Sequence, residues 1–345
     1  MTPDALVAAV ERHPRVAVAH VPTRIEALDN LGADLGISLC VKRDDCTGIG
    51  FGGNKVRQLE FYFGAALQEG ADTVLITGAV QSNFARAAAA IAGKLDMECH
   101  IQLEERVPQT SSLYRNNGNV LLDRLLGANI HRFPEGENET AADTALHDIA
   151  DELQAAGRRP YIIPLGTDHP PLGALGYIVA ALEFAEQMET MGRFDEIVVA
   201  SGSSLTHVGL LFGLRALGIE TAVHGICVRR DADAQAARVA ARIEDLEELL
   251  DLRVAIEPAD IKLFDGVLAP GYGRLSATTT DAILRTARRE GLFLDPTYTG
   301  KTMAGMIHLA QTDGLAGKRI LFWHTGGQPA LFGYADQLSM SARSC

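Results

Sequence analysis

Short apolar runs alternate with longer stretches of helical periodicity along most of the 345 residues. The short runs are rich in β-branched or aromatic residues, as buried parallel strands are. They span 37–42, 73–77, 99–103, 128–133, 161–164, 196–200, 222–228 and 319–323. Helical patterns lie between them at 54–69, 83–94, 143–156, 173–189, 207–217, 234–250, 278–290 and 302–311. This alternation predicts an α/β fold with mostly parallel sheets.

Composition excludes several classes of protein. The 44 acidic against 31 basic residues give a net charge of −13, and no local basic cluster suggests a nucleic-acid partner. The five cysteines form no CxxC pair, which indicates reduced thiols in a cytosol rather than disulfides or a zinc site. No apolar stretch approaches the ~18 residues of a membrane span, and no secretory signal is evident. We therefore expect a soluble cytoplasmic protein without a membrane or nucleic-acid partner.

Two polar loops join a predicted strand to a predicted helix, where ligands of parallel sheets bind. The loop 201–206 (SGSSLT) offers hydroxyls and free N–H groups at a helix start, which favours an anion such as phosphate. The loop 78–83 ends in Ser82 and Asn83, which suit a carboxylate or a phenolate. Ordinary helix capping by serine, threonine or asparagine is the alternative for both loops.

Lys55 lies in the first turn of a predicted helix, where the helix dipole disfavours a cation. A neutral amine suffers less there, and Schiff-base chemistry requires a depressed lysine pKa. On position alone, a solvated lysine in a flexible loop is the simpler interpretation.

Three further patterns are weaker. The segment 48–53 matches G-x-G-x-x-G, with Asp72 near the spacing of a ribose-binding acid, which raises a dinucleotide site. Ser203, His324 and Asp295 could form a hydrolase triad, although no G-x-S-x-G elbow is present. The histidines lack metal-ligand spacing, so we expect no catalytic metal.

Seven segments in order carry a much more specific signal. They are 42–46 (KRDDC), 52–60 (GGNKVRQLE), 81–83 (QSN), 173–177 (GALGY), 269–273 (APGYG), 294–301 (LDPTYTGK) and 324–332 (HTGGQPALF). Together they resemble the D-cysteine desulfhydrase / 1-aminocyclopropane-1-carboxylate (ACC) deaminase family of pyridoxal-phosphate (PLP) enzymes, from about residue 20 to residue 335.

The resemblance implies a tryptophan-synthase-β-like PLP fold (fold type II), with two open, twisted, mostly parallel sheets and flanking helices. It implies a large PLP-binding domain from 1–54 and 162–345, a small inserted α/β domain from 55–161, and a homodimer. PLP would form an imine with Lys55. The implied catalytic residues are Lys55, Ser82, Tyr298 and Tyr272. The implied cofactor-binding residues are Lys55, Asn83, Gly202, Ser203, Ser204, Leu205, Thr206 and Thr325, the last facing the pyridine nitrogen.

Two positions distinguish the branches of that family. ACC deaminases typically have Glu where this chain has Thr299 and Leu where it has Thr325. A hydroxyl facing the pyridine nitrogen makes a milder electron sink, which suffices when a good leaving group departs from Cβ. The resemblance therefore implies α,β-elimination from a small amino acid, first of all D-cysteine to pyruvate, sulfide and ammonia. ACC deamination, elimination from cysteate or a β-chloro amino acid, and a PLP-binding or amino-acid-sensing protein without turnover remain alternatives.

Three departures from the family pattern bear on the substrate. Leu205 stands where the family usually has glycine, and a left-handed backbone there would be strained. Residues 166–169 (GTDH) replace a Gly-Gly-Ser-Asn run, and Phe84 makes the substrate wall more apolar. A changed substrate is consistent with all three departures.

Overall fold

The computed structural model describes residues 2–108, 111–136, 138–166, 169–312, 315 and 317–342. Within these ranges the strands are β1 (Ile25–Ala27), β2 (Ser38–Lys42), β3 (Thr73–Ala79), β4 (Glu98–Glu104), β5 (Asn129–Phe133), β6 (Pro160–Ile163), β7 (Glu196–Ser201), β8 (Ala222–Cys227), β9 (Lys262–Phe264) and β10 (Arg319–Trp323).

The helices in the same ranges are α1 (Pro3–Glu11), α2 (Asp29–Leu35), α3 (Asn54–Gln68), α4 (Asn83–Lys94), α5 (Ser112–Asn116), α6 (Asn119–Leu125), α7 (Glu139–Ala155), α8 (Leu172–Met191), α9 (Leu205–Ala216), α10 (Ala232–Leu250), α11 (Ala277–Glu290), α12 (Thr299–Thr312), α13 (Ala330–Gly333) and α14 (Ala335–Ala342). Short 3₁₀ turns lie at Asp44–Cys46, Ile49–Phe51 and Pro258–Asp260.

The larger sheet has six strands in the order β1-β2-β10-β7-β8-β9. Its pairs are parallel except β1 with β2. Ile197 and Val199 of β7 pack with α8, α9 and α10, whereas Val198 between them packs with α2, α11 and α12. Both faces are therefore covered by helices, which explains why β7 reads as a continuous apolar run.

The smaller sheet has four parallel strands in the order β5-β4-β3-β6. Val74 and Ile76 of β3 pack against α3 and α4, and Leu75 faces α7. Helix α4 is rich in alanine, whose small side chain allows close packing against β3 and whose helix propensity is high. The carboxyl end of β3 thus leads directly into α4, which begins at Asn83.

Helix α3 connects the two sheets and contacts α8 through a glycine. A Cβ atom at Gly176 would lie 2.2 Å from the carbonyl oxygen of Arg57, so only glycine permits this approach. Arg57 is buried and donates to both Asp44 and Glu183. The close packing and the ion pairs together fix where the first turn of α3 lies.

The α/β prediction, with two mostly parallel sheets and flanking helices, is confirmed. The four-stranded sheet lies within the segment expected as the small domain, except that β6 runs on to Ile163. The division into domains stays a prediction. Among the described residues, no helix is long and apolar enough to cross a bilayer.

Candidate active site

A pocket between the two sheets collects loops that follow β3, β7, β8 and β10, together with the start of α3. Parallel α/β sheets bind ligands at this edge. Of the residues predicted for the site, the pocket is lined by Lys55, Ser82, Asn83, Gly202, Ser203, Ser204, Thr206, Tyr272, Tyr298 and Thr325. Leu205 instead lines an adjoining pocket, which Lys55 also reaches.

Lys55 is the second residue of α3, and its side chain points into the pocket. Its amine donates to Oε1 of Gln58 at 3.0 Å and lies 5.2 Å from the centre of the Phe84 ring. Burial lowers the pKa of Lys55 to about 8. About a tenth of the amine is therefore neutral near pH 7, far more than for an exposed lysine, and this is the form that acts as a nucleophile or base.

Thr206, in the first turn of α9, has an unusual hydrogen-bond balance. Its Oγ1 accepts from Nδ2 of Asn54 and from Nε2 of Gln58, both at 2.8 Å. A hydroxyl has two acceptor positions, so the remaining O–H must donate. The described residues provide no acceptor for it, which leaves the proton for a ligand in the pocket.

The loop before α9 ends without a side-chain cap. Ser204 occupies the cap position with φ 74°, and its hydroxyl donates to the carbonyl of Ser203 instead of accepting from the helix. The first N–H groups of the helix are thus open to an anion. The prediction of a strained, left-handed backbone at Leu205 is wrong. The left-handed residue is Ser204, and Leu205 is already the first residue of the helix.

Ser82 and Asn83 lie at the start of α4. Oγ of Ser82 accepts from the N–H of Ala85 at 3.1 Å, so Ser82 is a true helix cap. Oδ1 of Asn83 accepts from Nδ2 of Asn119 at 2.9 Å. The amide NH₂ of Asn83 therefore points away from Asn119. The helix start and the Asn83 amide both offer donors to the pocket.

Tyr272 and Tyr298 share a hydrogen bond of 2.6 Å between their hydroxyl groups. Burial is the main cause that raises the pKa of each phenol. Both tyrosines are therefore neutral at ordinary pH and form a pair able to hold or pass one proton at the pocket wall.

The prediction of a hydrolase triad is wrong. His324 accepts from the N–H of Gly326 at Nδ1 and bonds the carbonyl of Phe293 through Nε2, so both ring nitrogens are engaged. The Asp295 carboxylate accepts from three backbone N–H groups and from the hydroxyl of Thr299. These two side chains hold the loops that follow β10 and precede α12, and neither lines the pocket.

The dinucleotide interpretation is also wrong. Two 3₁₀ turns separate β2 from α3, so the glycines of 48–53 do not form a tight strand-to-helix turn. Asp72 precedes β3, at the opposite edge of the small sheet, and accepts from the N–H of Arg159. A Rossmann site needs the acid beside the glycine turn.

The residues that depart from the family pattern lie at different places relative to the pocket. Phe84 lines the pocket and lies beneath the Lys55 amine. His169 lines the adjoining pocket, and its carbonyl accepts from Arg242. Thr167 and Asp168 lie outside the described residues. Among those residues, no cluster of three or more potential metal ligands is found.

Sequence reasoning did not single out four arginines that line the pocket: Arg106, Arg229, Arg230 and Arg238. Two of them follow β8 directly, so the rule that ligands lie at the carboxyl ends of parallel strands could have found them. Arg106 follows β4 in the same way. Arg238 comes from the middle of α10 and carries no such signal.

Comparison with known proteins gives a consistent result. A family profile described as pyridoxal-phosphate dependent enzyme matches residues 16–326. The chain is 42% identical over 329 residues to the D-cysteine desulfhydrase of Salmonella newport (strain SL254), covering 94% of this chain and 97% of that protein. It is 41% identical over 333 residues to the D-cysteine desulfhydrase of Klebsiella pneumoniae (strain 342), covering 95% and 98%. A crystal structure of an ACC deaminase homologue superposes with a TM-score of 0.87 at 37% identity, covering 99% of both chains.

Proposed function

The chain belongs to the pyridoxal-phosphate-dependent enzyme family, and within it we propose a lyase that eliminates the β-substituent of a small amino acid. The expected family, PLP fold and cofactor are confirmed. The lead substrate is D-cysteine, which would yield pyruvate, sulfide and ammonia. The observation that carries this proposal is a lysine with a pKa of about 8 facing an uncapped helix start in one pocket, in a chain 42% identical to D-cysteine desulfhydrases.

The residues present fit the cofactor. The open N–H groups of α9 and the hydroxyl of Thr206 would hold the phosphate, since these donors lack protein acceptors in the described structure. The amide NH₂ of Asn83 would donate to the phenolic oxygen, and the Thr325 hydroxyl would face the pyridine nitrogen. Lys55 would make the covalent bond.

When bound, PLP withdraws electrons from the Cα atom of an amino acid, which makes its Cα–H bond acidic. The chain must then supply a base beside Cα. The neutral amine of Lys55 serves this role, because a pKa of about 8 leaves it able to accept a proton near neutral pH.

The substrate carboxylate would bind at the start of α4. Ser82 lines the pocket there, and the first N–H groups of the helix attract an anion. Holding the carboxylate fixes the orientation of the Cα–H bond toward Lys55.

The hydrogen-bonded pair Tyr272–Tyr298 would donate a proton to the group that leaves Cβ. Both phenols are neutral because their pKa values are raised by burial, so a proton is available in the pair. A thiolate departs more easily when it is protonated as it leaves.

The position of Thr325 supports elimination over ACC deamination. Thr325 lines the pocket, whereas Thr299 is buried outside the lining and bonds Asp295. A hydroxyl near the pyridine nitrogen need not keep that nitrogen protonated, which suits a substrate with a good leaving group.

The test is to load the protein with PLP and offer D-cysteine, L-cysteine and ACC, measuring pyruvate, sulfide and, for ACC, 2-oxobutanoate. We expect release of pyruvate and sulfide from one cysteine enantiomer and turnover of ACC at least about 100-fold slower, on the order expected when about 3 kcal/mol of transition-state stabilisation is missing. Lys55→Ala should abolish turnover, and the exposed control Lys94→Ala should retain it. Efficient ACC deamination without sulfide release would overturn the assignment.

We also propose a homodimer in the cytoplasm. Phe51, Phe293 and Phe332 are 64%, 60% and 61% exposed, and contact with a second copy would remove such apolar surface from water. The cysteines of the described residues are unpaired thiols, which fits a reducing compartment. Light scattering of the purified protein and fractionation of cells test the two statements.

A further inference from the structure

The pocket carries a strong positive charge within an acidic protein. Its lining, taken over the described residues, contains Lys55 and four arginines but no carboxylate. The chain as a whole has a net charge of −13. A local excess of this sign in a cleft attracts anions and stabilises them when bound.

Arg230 and Arg238 lie beside the loop proposed to bind phosphate. Arg230 donates to the carbonyl of Gly202 at 3.3 Å, and Arg238 donates to that of Ser203 at 3.5 Å. These two arginines hold the loop and lie on the side of the cofactor phosphate.

Arg106 comes from the loop after β4, and Arg229 precedes Arg230 in the loop after β8. Arg106 is paired with Glu104 at 2.7 Å, while Arg229 is paired with Glu139 at 2.6 Å. Their charges act to lower the pKa of Tyr272, although burial has the larger, opposite effect. The packing agrees: Val107, next to Arg106, lies against Gly273, next to Tyr272, where a Cβ would be 2.5 Å from Val107. Val228, next to Arg229, lies beside Gly202 together with the ring of Tyr298. Both arginines line the pocket with the two tyrosines, on the side where the leaving group of the substrate would be.

The nearby carboxylates do not balance the cluster. Glu139 is 46% exposed, and the charges of all four arginines lower its pKa against the opposing effect of burial. Glu104 is fully buried and accepts two hydrogen bonds from Arg106 and one from Thr77. Glu104 and Glu139 therefore face Lys55 and the four arginines, which leaves the cluster positive. The substrate carboxylate is already accommodated at α4. An anionic group on the β-carbon of the substrate would offset the remaining positive charge beside Arg106 and Arg229.

We propose that Arg106 and Arg229 select amino acids whose β-carbon carries a tetrahedral oxyanion, with the sulfonate cysteate favoured over the thiol cysteine. This inference rests on the proposed β-elimination and refines its substrate: cysteine is still turned over, but more slowly than cysteate. The Cα proton moves to Lys55, and the Cβ–S bond breaks with its electron pair going to sulfur. One cysteate anion and one water then give pyruvate, bisulfite and ammonium, without any oxidant or reductant. The same arginines would suit a β-phosphate, which would release phosphate instead.

Binding can be measured without turnover, because analogues that lack the amino group cannot undergo the elimination. Calorimetry of the PLP-loaded protein with 3-sulfopropanoate and 3-mercaptopropanoate compares the two β-substituents directly. We expect the sulfonate to bind roughly 10- to 100-fold more tightly, the range of one charge-assisted hydrogen bond. Equal affinities would overturn the inference.

Arg229→Gln should remove most of that preference, and Arg229→Lys should restore part of it. Arg229 is paired with a half-exposed glutamate, so its loss costs little stability. Arg159→Gln, an exposed arginine paired with Asp72 at the far edge of the small sheet, is the matched control and should leave the preference unchanged. If Arg229→Gln weakens PLP retention while the preference persists, Arg229 serves the cofactor and the inference fails.

Turnover then separates this inference from the proposed function. Both enantiomers of cysteate, O-phosphoserine and cysteine are offered, and sulfite, phosphate, sulfide and pyruvate are measured. Faster elimination from cysteate or phosphoserine than from cysteine supports the inference, and the inorganic product identifies the oxyanion. Elimination from cysteine alone overturns it and leaves the proposed function intact. Pyruvate from none of them overturns the proposed function itself.

Discussion

At the scale of single residues, Thr206 offers the most sharply defined donor of the site. Both its acceptor positions are filled by Asn54 and Gln58, so its proton is left for the cofactor phosphate. Thr206→Val should weaken PLP binding by roughly 1.5–3 kcal/mol, the range of a hydrogen bond to a charged group. Thr206→Ser should restore binding, and Thr144→Val on the exposed side of α7 should leave it unchanged. Unaltered PLP affinity in Thr206→Val would place the phosphate elsewhere.

The Lys55 amine gives a prediction in pH. Because burial lowers its pKa to about 8, half of the amine is in the neutral form that attacks PLP near pH 8, and nearly all of it is neutral about one pH unit higher. The rate at which the apoenzyme bonds PLP, followed by absorbance, should therefore rise steeply up to about pH 8 and level off by about pH 9. A rate that keeps rising toward pH 10 would mean that the lysine titrates like an exposed one.

The residues of the site were predictable where they adjoin a strand end or a motif. Lys55, Ser82 and Thr206 follow that rule, and the structure places all three at one pocket. The left-handed residue was misplaced by one position, since sequence alone does not show where α9 begins. Arg238 was not predictable because its proximity depends on how α10 packs against the loop.

At the scale of elements, the contact of α3 with α8 sets the position of Lys55. Gly176→Ala would put a Cβ 2.2 Å from the Arg57 carbonyl, and overpacking of this kind costs about 1–3 kcal/mol. The control is Gly93→Ala in α4, where nothing lies within 4 Å and higher helix propensity should stabilise by about 1 kcal/mol. Denaturant unfolding measures both changes. Equal effects of the two substitutions would show that the α3–α8 contact is not tight.

Element prediction succeeded where the pattern is long and continuous. The strand 319–323 and the helix 83–94 match the structure end to end. The short edge strands β1 and β9 were missed, because three residues are too few to show a period. Helices α5 and α13, of five and four residues, were missed for the same reason.

At the scale of the whole molecule, strand–helix alternation predicts the layers but not the way in which two sheets enclose a site. The strand order β1-β2-β10-β7-β8-β9 brings the last strand of the chain between β2 and β7. That long-range pairing places Thr325 beside the start of α3, where the carbonyl of Thr325 accepts from the N–H of Asn54. Only the ordered set of motifs, through the family resemblance, anticipated this arrangement.

We propose that Lys55 bonds the cofactor, and a lowered pKa alone does not identify this lysine. Burial also lowers the pKa of Lys301 to about 8 and that of Lys42 below its usual value. Lys301 donates to the carbonyls of Leu268 and Gly271, away from the pocket lining. The direct measurement is borohydride reduction of the PLP-loaded protein, followed by peptide mapping with mass spectrometry. We expect the pyridoxyl group on Lys55, and finding it on Lys301 or Lys42 would contradict the assignment of Lys55.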